Sequence, residues 1–343
     1  MDAPAPAPVP QIHEDGEDPT HGVIFARLLD GHGGARKIDW EEARNWRRAA
    51  GSAETLWLHL DRRVPAVGAW LHDGLELSDA TADVLVSHET RPRAFREDDT
   101  LVAILRGINL NAGQDMEDMI ALQIWGDGER VVTLRRRRLQ TPRDVLTTLE
   151  DGIGPCNAGD LFVELIDQLV TKINLSIIAT NEEIDALEAN AYGGNSAQIL
   201  DHIGHIRRDC LRLKRYMSPQ HEALVQIGRD APDWISARNR TDIRETIDRL
   251  HRYLEDIDVS KESVIVLQDE LDSRAAARSG HTMYMLSIVA AIFLPLSFVT
   301  GLLGINVGGM PGVQSGDAFW ITVGALVVLL VIQIWLFRKW KWL

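Results

Sequence analysis

Residues 283–303 read MYMLSIVAAIFLPLSFVTGLL and residues 319–337 read FWITVGALVVLLVIQIWLF; between 279 and 337 the one charged residue is Asp317, beside a titratable His281. Each run is about twenty residues, long enough to cross the ~30 Å hydrocarbon core of a bilayer. The connector 304–312, GINVGGMPG, is too short and too polar to be a domain, and long enough to form a pore mouth. The chain therefore reads as a membrane protein with a large soluble head and a two-helix hairpin at its C-terminal end.

Flanking charge sets the expected orientation. Arg274 and Arg278 precede the first run, Arg338, Lys339 and Lys341 follow the second, and the connector carries no Lys or Arg. Basic residues stay on the cytoplasmic side, so both termini are expected inside a bacterial-type cytoplasmic (inner) membrane, with the loop outward. Trp320, Trp335, Trp340 and Trp342 stand where interfacial aromatic belts form. Residues 1–20 are rich in Ala and Pro, then acidic, with no basic or apolar leader pattern, and are expected to be a disordered tail.

The whole chain carries a net charge of −14, and because residues 279–343 are slightly basic, the head carries about −16. Such a head repels nucleic acid and concentrates cations, although the same charge also serves plain solubility. Two cysteines, Cys156 and Cys210, exclude a disulfide framework and a thiolate zinc cluster; both are expected as reduced cytosolic thiols.

The first half of the head reads as mixed α/β. Runs 23–29, 55–60 and 101–105 are strand-like, and 78–88 has helical spacing with Ala82, Leu85 and Val86 on its apolar side. Runs 119–125 and 130–134 flank Gly126-Asp127-Gly128, a hairpin signal. Arg135–Arg138 is a basic run, most simply a solvated face. No Walker loop, G-x-S-x-G, HExxH or nucleophile–base pair falls on these strands and turns, so the chain is read as a non-enzyme.

After the break at 152–155 the pattern turns helical. Asp160 is a candidate cap for a helix with Leu161, Leu165, Leu169, Ile173 and Ile177 on one face. Gly193-Gly194-Asn195 ends it, and a second helix starts at Ser196 and runs to Tyr216 or beyond. His202 and His205 share a face of that helix at i, i+3, a metal-ligand spacing without an evident third ligand. In the third segment Ile243, Leu250, Ile257, Val264 and Leu271 recur every seven residues, with Ile247, Leu254, Lys261 and Gln268 between them. No Pro or Gly interrupts residues 234–279, so one helix of ~70 residues and ~105 Å is expected to run on into the first membrane run, as a stalk that self-associates.

A second stripe follows the same helix in steps of three or four: Asp269, Ser273, Ala276, Gly280, Met283, Ser287, Ala290, Leu294, Ser297 and Gly301, leading to Asn306. Small residues let membrane helices approach closely, and Ser or Asn facing lipid is costly, so this face should meet other copies or a water-filled lumen. Plain small-residue helix packing is the simpler account of the same pattern.

The chain divides accordingly into a tail (1–20), a cytosolic α/β domain (21–155), a helical hairpin region (156–232), a stalk helix continuing into the first span (233–303), an outward loop (304–318), a second span (319–337) and a basic end (338–343). In this arrangement the residues resemble the CorA-type metal-ion transporter family, whose Gly-Met-Asn signature ends its first span. Here the signature reads Gly304-Ile305-Asn306 and is followed by Gly308-Gly309-Met310-Pro311-Gly312. The isoleucine and these glycines are similar to the ZntB-type, zinc-transporting branch, as are Glu89-Thr90-Arg91-Pro92-Arg93 and Leu105-Arg106-Gly107-Ile108-Asn109-Leu110-Asn111.

The resemblance implies a funnel-shaped homopentamer with a cytosolic α/β domain, a long α-helical stalk and two C-terminal transmembrane helices. Its implied partners are copies of itself, the bilayer and divalent cations; Zn²⁺ is cargo, with no resident cofactor. Asn306 is implied to supply a ring of amide oxygens at the outer mouth, Gly304 to let the backbone turn, and Ile305 to pack the loop. Ser297 and Ser287 become hydroxyl rings, Leu294 and Met283 apolar constrictions, and Asp269 an acidic inner ring. No acidic residue directly follows Met310-Pro311, a departure from the magnesium-type pattern that favours the zinc branch.

Dehydrated Zn²⁺ takes His, Cys or carboxylate ligands, and this stripe offers Ser, Asn and apolar rings, so the ion is expected to pass largely hydrated. A Mg²⁺/Co²⁺ channel of the same architecture, and a non-conducting membrane-anchored metal sensor, are the alternatives.

Overall fold

The computed structural model describes residues 18–190, 196–305, 316–340 and 342. Most of the expected tail, the Gly193-Gly194-Asn195 break, Asn306 and most of the connector lie outside the described residues. The chain separates into two compact units, residues 1–267 and 268–343.

The first unit is built on a seven-stranded sheet. Its strands are β1 (Val23–Leu29), β2 (Ala35–Lys37), β3 (Thr55–Asp61), β4 (Arg93–Glu97), β5 (Thr100–Gly107), β6 (Ile120–Gly126) and β7 (Arg130–Arg135). Their spatial order is β2-β1-β3-β7-β6-β5-β4, antiparallel except for the parallel pair β3–β7. The β6–β7 hairpin turns where Gly126-Asp127-Gly128 predicts it: Gly128 adopts φ +87°, and Asp127 Oδ1 accepts from the amides of Glu129 and Arg130.

Side chains alternate across this sheet. Leu28, Leu56, Leu58, Leu60, Trp125, Val132 and Leu134 share one core with Trp40 of α1 (Trp40–Asn45), Val67 and Leu71 of α2 (Pro65–Asp73) and Leu85 of α3 (Asp79–Val86). Ser78 caps α3 by accepting from the Thr81 amide. On the alternate face lie Trp57, His59 and Thr133, and α5 (Ala158–Asn190) packs on β5, β6 and β7 behind α4 (Thr141–Glu150).

The helical part continues with α6 (Ser196–Arg229) and α7 (Ala237–Leu303). The cap of α5 differs from expectation. Asn157 Oδ1 accepts from the Asp160 amide and its Nδ2 donates to Asp160 Oδ2, so Asn157 is the cap and Asp160 its reciprocal partner. Sequence pattern favoured Asp160 because an acidic residue is at home anywhere in a first turn.

The heptad positions Ile243, Leu250, Ile257 and Val264 are all 2% exposed or less. Their companions differ from the reading by one position: Thr246, Ser260 and Leu267 are buried, whereas Ile247, Leu254, Lys261 and Gln268 are half-buried. The reason is polar satisfaction. Thr246 Oγ1 donates to Asp167 Oδ1 and Ser260 Oγ to Asn181 Oδ1, both on α5, so hydroxyls can take the inner positions. Lys214 of α6 also binds Asp258 at 2.6 Å. This stripe is thus consumed inside the chain, by α5 and α6, and is not the surface through which a stalk would self-associate.

In the second unit α7 runs on without a break to Leu303, and at 1.5 Å per residue its 67 residues measure about 100 Å. The chain then returns through α8 (Ala318–Lys339).

Candidate functional site

Two helices are long and apolar enough to cross a membrane, α7 and α8, with mean hydropathy 2.3 and 2.4 over their most apolar stretches. On the membrane part of α7 one face is covered: Ile288 is buried, and Ala291, Ile292, Pro295, Leu296 and Val299 are half-buried. The opposite face is open. Asp269, Ser273, Ala276, Gly280, Met283, Ser287, Ala290, Leu294, Ser297 and Gly301 are all exposed, and all lie in the second unit. The spacing read from sequence therefore describes one continuous strip of the helix surface.

Two glycines in this strip carry information. A Cβ added at Gly280 or Gly301 would meet nothing within 4 Å. The protomer's own packing does not ask for glycine at either place. Ser287 Oγ donates to the Met283 carbonyl at 2.9 Å, which satisfies its proton within the helix and leaves its lone pairs for water.

Gly304 closes α7. Its amide is shared between the carbonyls of Thr300 (2.9 Å) and Gly301 (3.2 Å). It does not adopt the left-handed conformation expected of a turn glycine; a Cβ there would sit 3.2 Å from the Thr300 carbonyl oxygen, a tight approach that favours Gly. Ile305 follows, exposed, and Asn306 lies outside the described residues.

At the other end of the pair, Tyr284 Oη donates to the Trp342 carbonyl at 2.6 Å, and Trp342 stacks on Phe337 with ring centroids 5.7 Å apart. Lys339 Nζ lies 5.1 Å from the Trp335 ring centroid. Sequence reading placed these tryptophans in an interfacial belt but missed the Tyr284 tie, which no local pattern announces.

In the head, His202 and His205 are exposed on α6, with His202 Nε2 3.6 Å from Glu183 Oε2. His205 borders a cavity of about 340 Å³ shared with Asp115, Glu117, Glu183, Asp209 and Arg212. Burial and the Glu117 charge push the Asp209 carboxyl up from its ordinary value. Among the described residues, no three His, Cys, Asp or Glu side chains converge on a point that would hold a metal ion. Cys156 and Cys210 are free thiols, and burial pushes Cys210 up to about 11, an inert core group. In the basic run, Arg136 and Arg137 are exposed, as a solvated face should be.

Residues 52–339 match the family described as CorA-like Mg2+ transporter protein. The chain belongs to this family. Among its relatives, the divalent cation transporter CmaX of Pseudomonas aeruginosa is 36% identical over 337 residues, covering 97% of this chain and 100% of that one. The structure of full-length CmaX superposes with a TM-score of 0.81 at 34% identity, over 95% of this chain and 100% of the other. The zinc transport protein ZntB of Pectobacterium atrosepticum is 31% identical over 322 residues, 94% of this chain and 96% of that protein. The CorA magnesium transporter of Methanocaldococcus jannaschii, at 15% identity, shares the fold, with a TM-score of 0.79 over 93% of this chain and 99% of that one. The family is one of transporters rather than enzymes, and divalent-cation transport is the function it gives this chain.

Proposed function

We propose that this chain carries divalent cations, Zn²⁺ first, through a homopentameric pore lined by the open strip of α7. The observation that carries the proposal is that strip: a lipid-length helix keeps one face covered and leaves the other, with Ser287, Ser297, Gly280 and Gly301, exposed along its whole length. A single helix encloses no lumen, and hydroxyls facing lipid cost free energy, so symmetry-related copies are needed to complete the site.

In that assembly Asn306 supplies the outer amide ring, Ser297 and Ser287 hydroxyl rings, Leu294 and Met283 the narrow apolar levels, and Asp269 the acidic inner ring. Both termini lie in the cytoplasm of an inner-membrane protein, and the Gly304-Ile305-Asn306 loop faces outward. No ring presents the His, Cys or carboxylate set that strips Zn²⁺ of water, so the ion moves largely hydrated and discrimination among Zn²⁺, Mg²⁺ and Co²⁺ is modest.

The test is zinc flux into proteoliposomes, read by an internal dye, with magnesium and cobalt in parallel. Asn306→Ala is expected to abolish flux of every ion alike. Loss confined to zinc would overturn the hydrated-ion reading, and absence of any flux from an intact pentamer would turn the reading to a non-conducting metal sensor.

A further inference from the structure

Outside the transmembrane strip, two imidazoles meet where α6 and α7 run antiparallel. The rings of His221 and His251 lie with centroids 5.5 Å apart and planes tilted by 40°. Their positions are bracketed by cross-helix contacts on either side. Lys214 binds Asp258 at 2.6 Å, and Gly228 approaches Ile247 so closely that an added Cβ would sit 3.4 Å from its Cδ1. The backbones are therefore fixed in register on both flanks, and the imidazoles are held side by side by the fold.

The surroundings suit a cation. Glu222 and Asp248 lie close enough to act on His221 electrostatically, and His251 Nε2 is 3.5 Å from Glu255 Oε1. A carboxylate beside an imidazole adds negative potential where a dication would sit. Burial and the neighbouring ring lower the proton affinity of His221. Two imidazole nitrogens on one tetrahedral Zn²⁺ stand about 3.3 Å apart, given Zn–N distances of about 2.0–2.1 Å, so a shared ion requires the two rings, now 5.5 Å apart, to turn their nitrogens toward each other.

We propose that His221 and His251 form a two-imidazole clip across α6 and α7 that binds one transition-metal dication per protomer. Water completes the coordination, since no third protein group is already in place among the described residues. Imidazole selects Zn²⁺, Co²⁺, Ni²⁺ or Cu²⁺ over Mg²⁺, so the clip tells apart ions that the pore barely distinguishes. It stands whether or not ions cross the membrane.

The test uses the full chain in detergent, stripped with chelator and titrated with Zn²⁺ by calorimetry. A site filled at one ion per protomer is expected, and His221→Gln and His251→Gln should each weaken it at least about tenfold. Mg²⁺ should give no competing heat, and a His202→Gln/His205→Gln protein should keep the site. Asn306→Ala should lose flux and bind as before, which separates the clip from the pore. An unchanged isotherm in the His221→Gln/His251→Gln double variant would overturn the proposal. So that misfolding of a variant cannot blur the answer, pulsed EPR of one Cu²⁺ per wild-type protomer should show two coordinated imidazoles; fewer than two would also overturn it.

Discussion

A single hydroxyl organises the sheet face beneath α5. Thr133 Oγ1 donates to the Leu58 carbonyl at 3.1 Å, accepts from Trp57 Nε1 at 3.0 Å and lies 2.9 Å from His59 Nδ1. Thr133→Val removes the acceptor of the buried Trp57 Nε1 and the polar contact of the buried His59, and is expected to destabilise the head by about 2 kcal/mol, measured from its urea midpoint by tryptophan fluorescence. His59 also ties stability to pH. Burial, with Arg135 as the nearest like charge, holds its folded-state pKa well below the usual 6.5, so between those two values the unfolded chain binds the extra proton. Stability is accordingly full above about pH 6.5 and falls as pH drops below it, by up to about 1.4 kcal/mol per pH unit. Urea midpoints between pH 7.5 and 5.5 should show the decline, and His59→Phe should flatten it.

At the scale of elements, the seam of α7 shows what the sequence could and could not disclose. The seven-residue recurrence from Ile243 to Val264 is visible because aliphatic burial needs only periodicity, and those positions are the core of the helical bundle. The companion positions were misplaced because Thr246 and Ser260 look like surface residues until Asp167 and Asn181 of a distant helix arrive to satisfy them. The Tyr284–Trp342 bond and the His221–His251 pair were illegible for the same reason, since contacts between elements leave no local mark. Five of the seven strands, by contrast, were legible from short apolar runs and from the Gly126-Asp127-Gly128 turn, whereas the short edge strands β2 and β4, exposed or half-buried and rich in Arg, were not. Leu250→Ala, at 0% exposure, should cost about 2–5 kcal/mol of head stability. Val266→Ala, on the same helix but 58% exposed, should change the protomer by no more than about 0.5 kcal/mol; the paired urea midpoints check both.

For the whole molecule, the family and the two apolar helices were readable from the last 65 residues, while the number of copies was not, because no contact between copies is encoded as a local pattern. The glycines of the α7 strip make that number testable. Gly280→Leu and Gly301→Leu add side chains into space the protomer leaves empty, so head unfolding should be unchanged, whereas the mass of the detergent-solubilised particle should fall below that of the wild type, which the proposed pentamer puts at five times the 38.3 kDa of one chain. Retention of the full assembly and of flux in both variants would count against close approach at this strip. The buried hydroxyl contacts of the seam carry a mechanical consequence. To slide along its axis by one turn, about 5.4 Å, α7 would have to break the Thr246–Asp167, Ser260–Asn181 and Lys214–Asp258 links together. An axial slide of α7 within the head is therefore opposed by links to two different helices at once, like a bolt thrown through neighbouring plates.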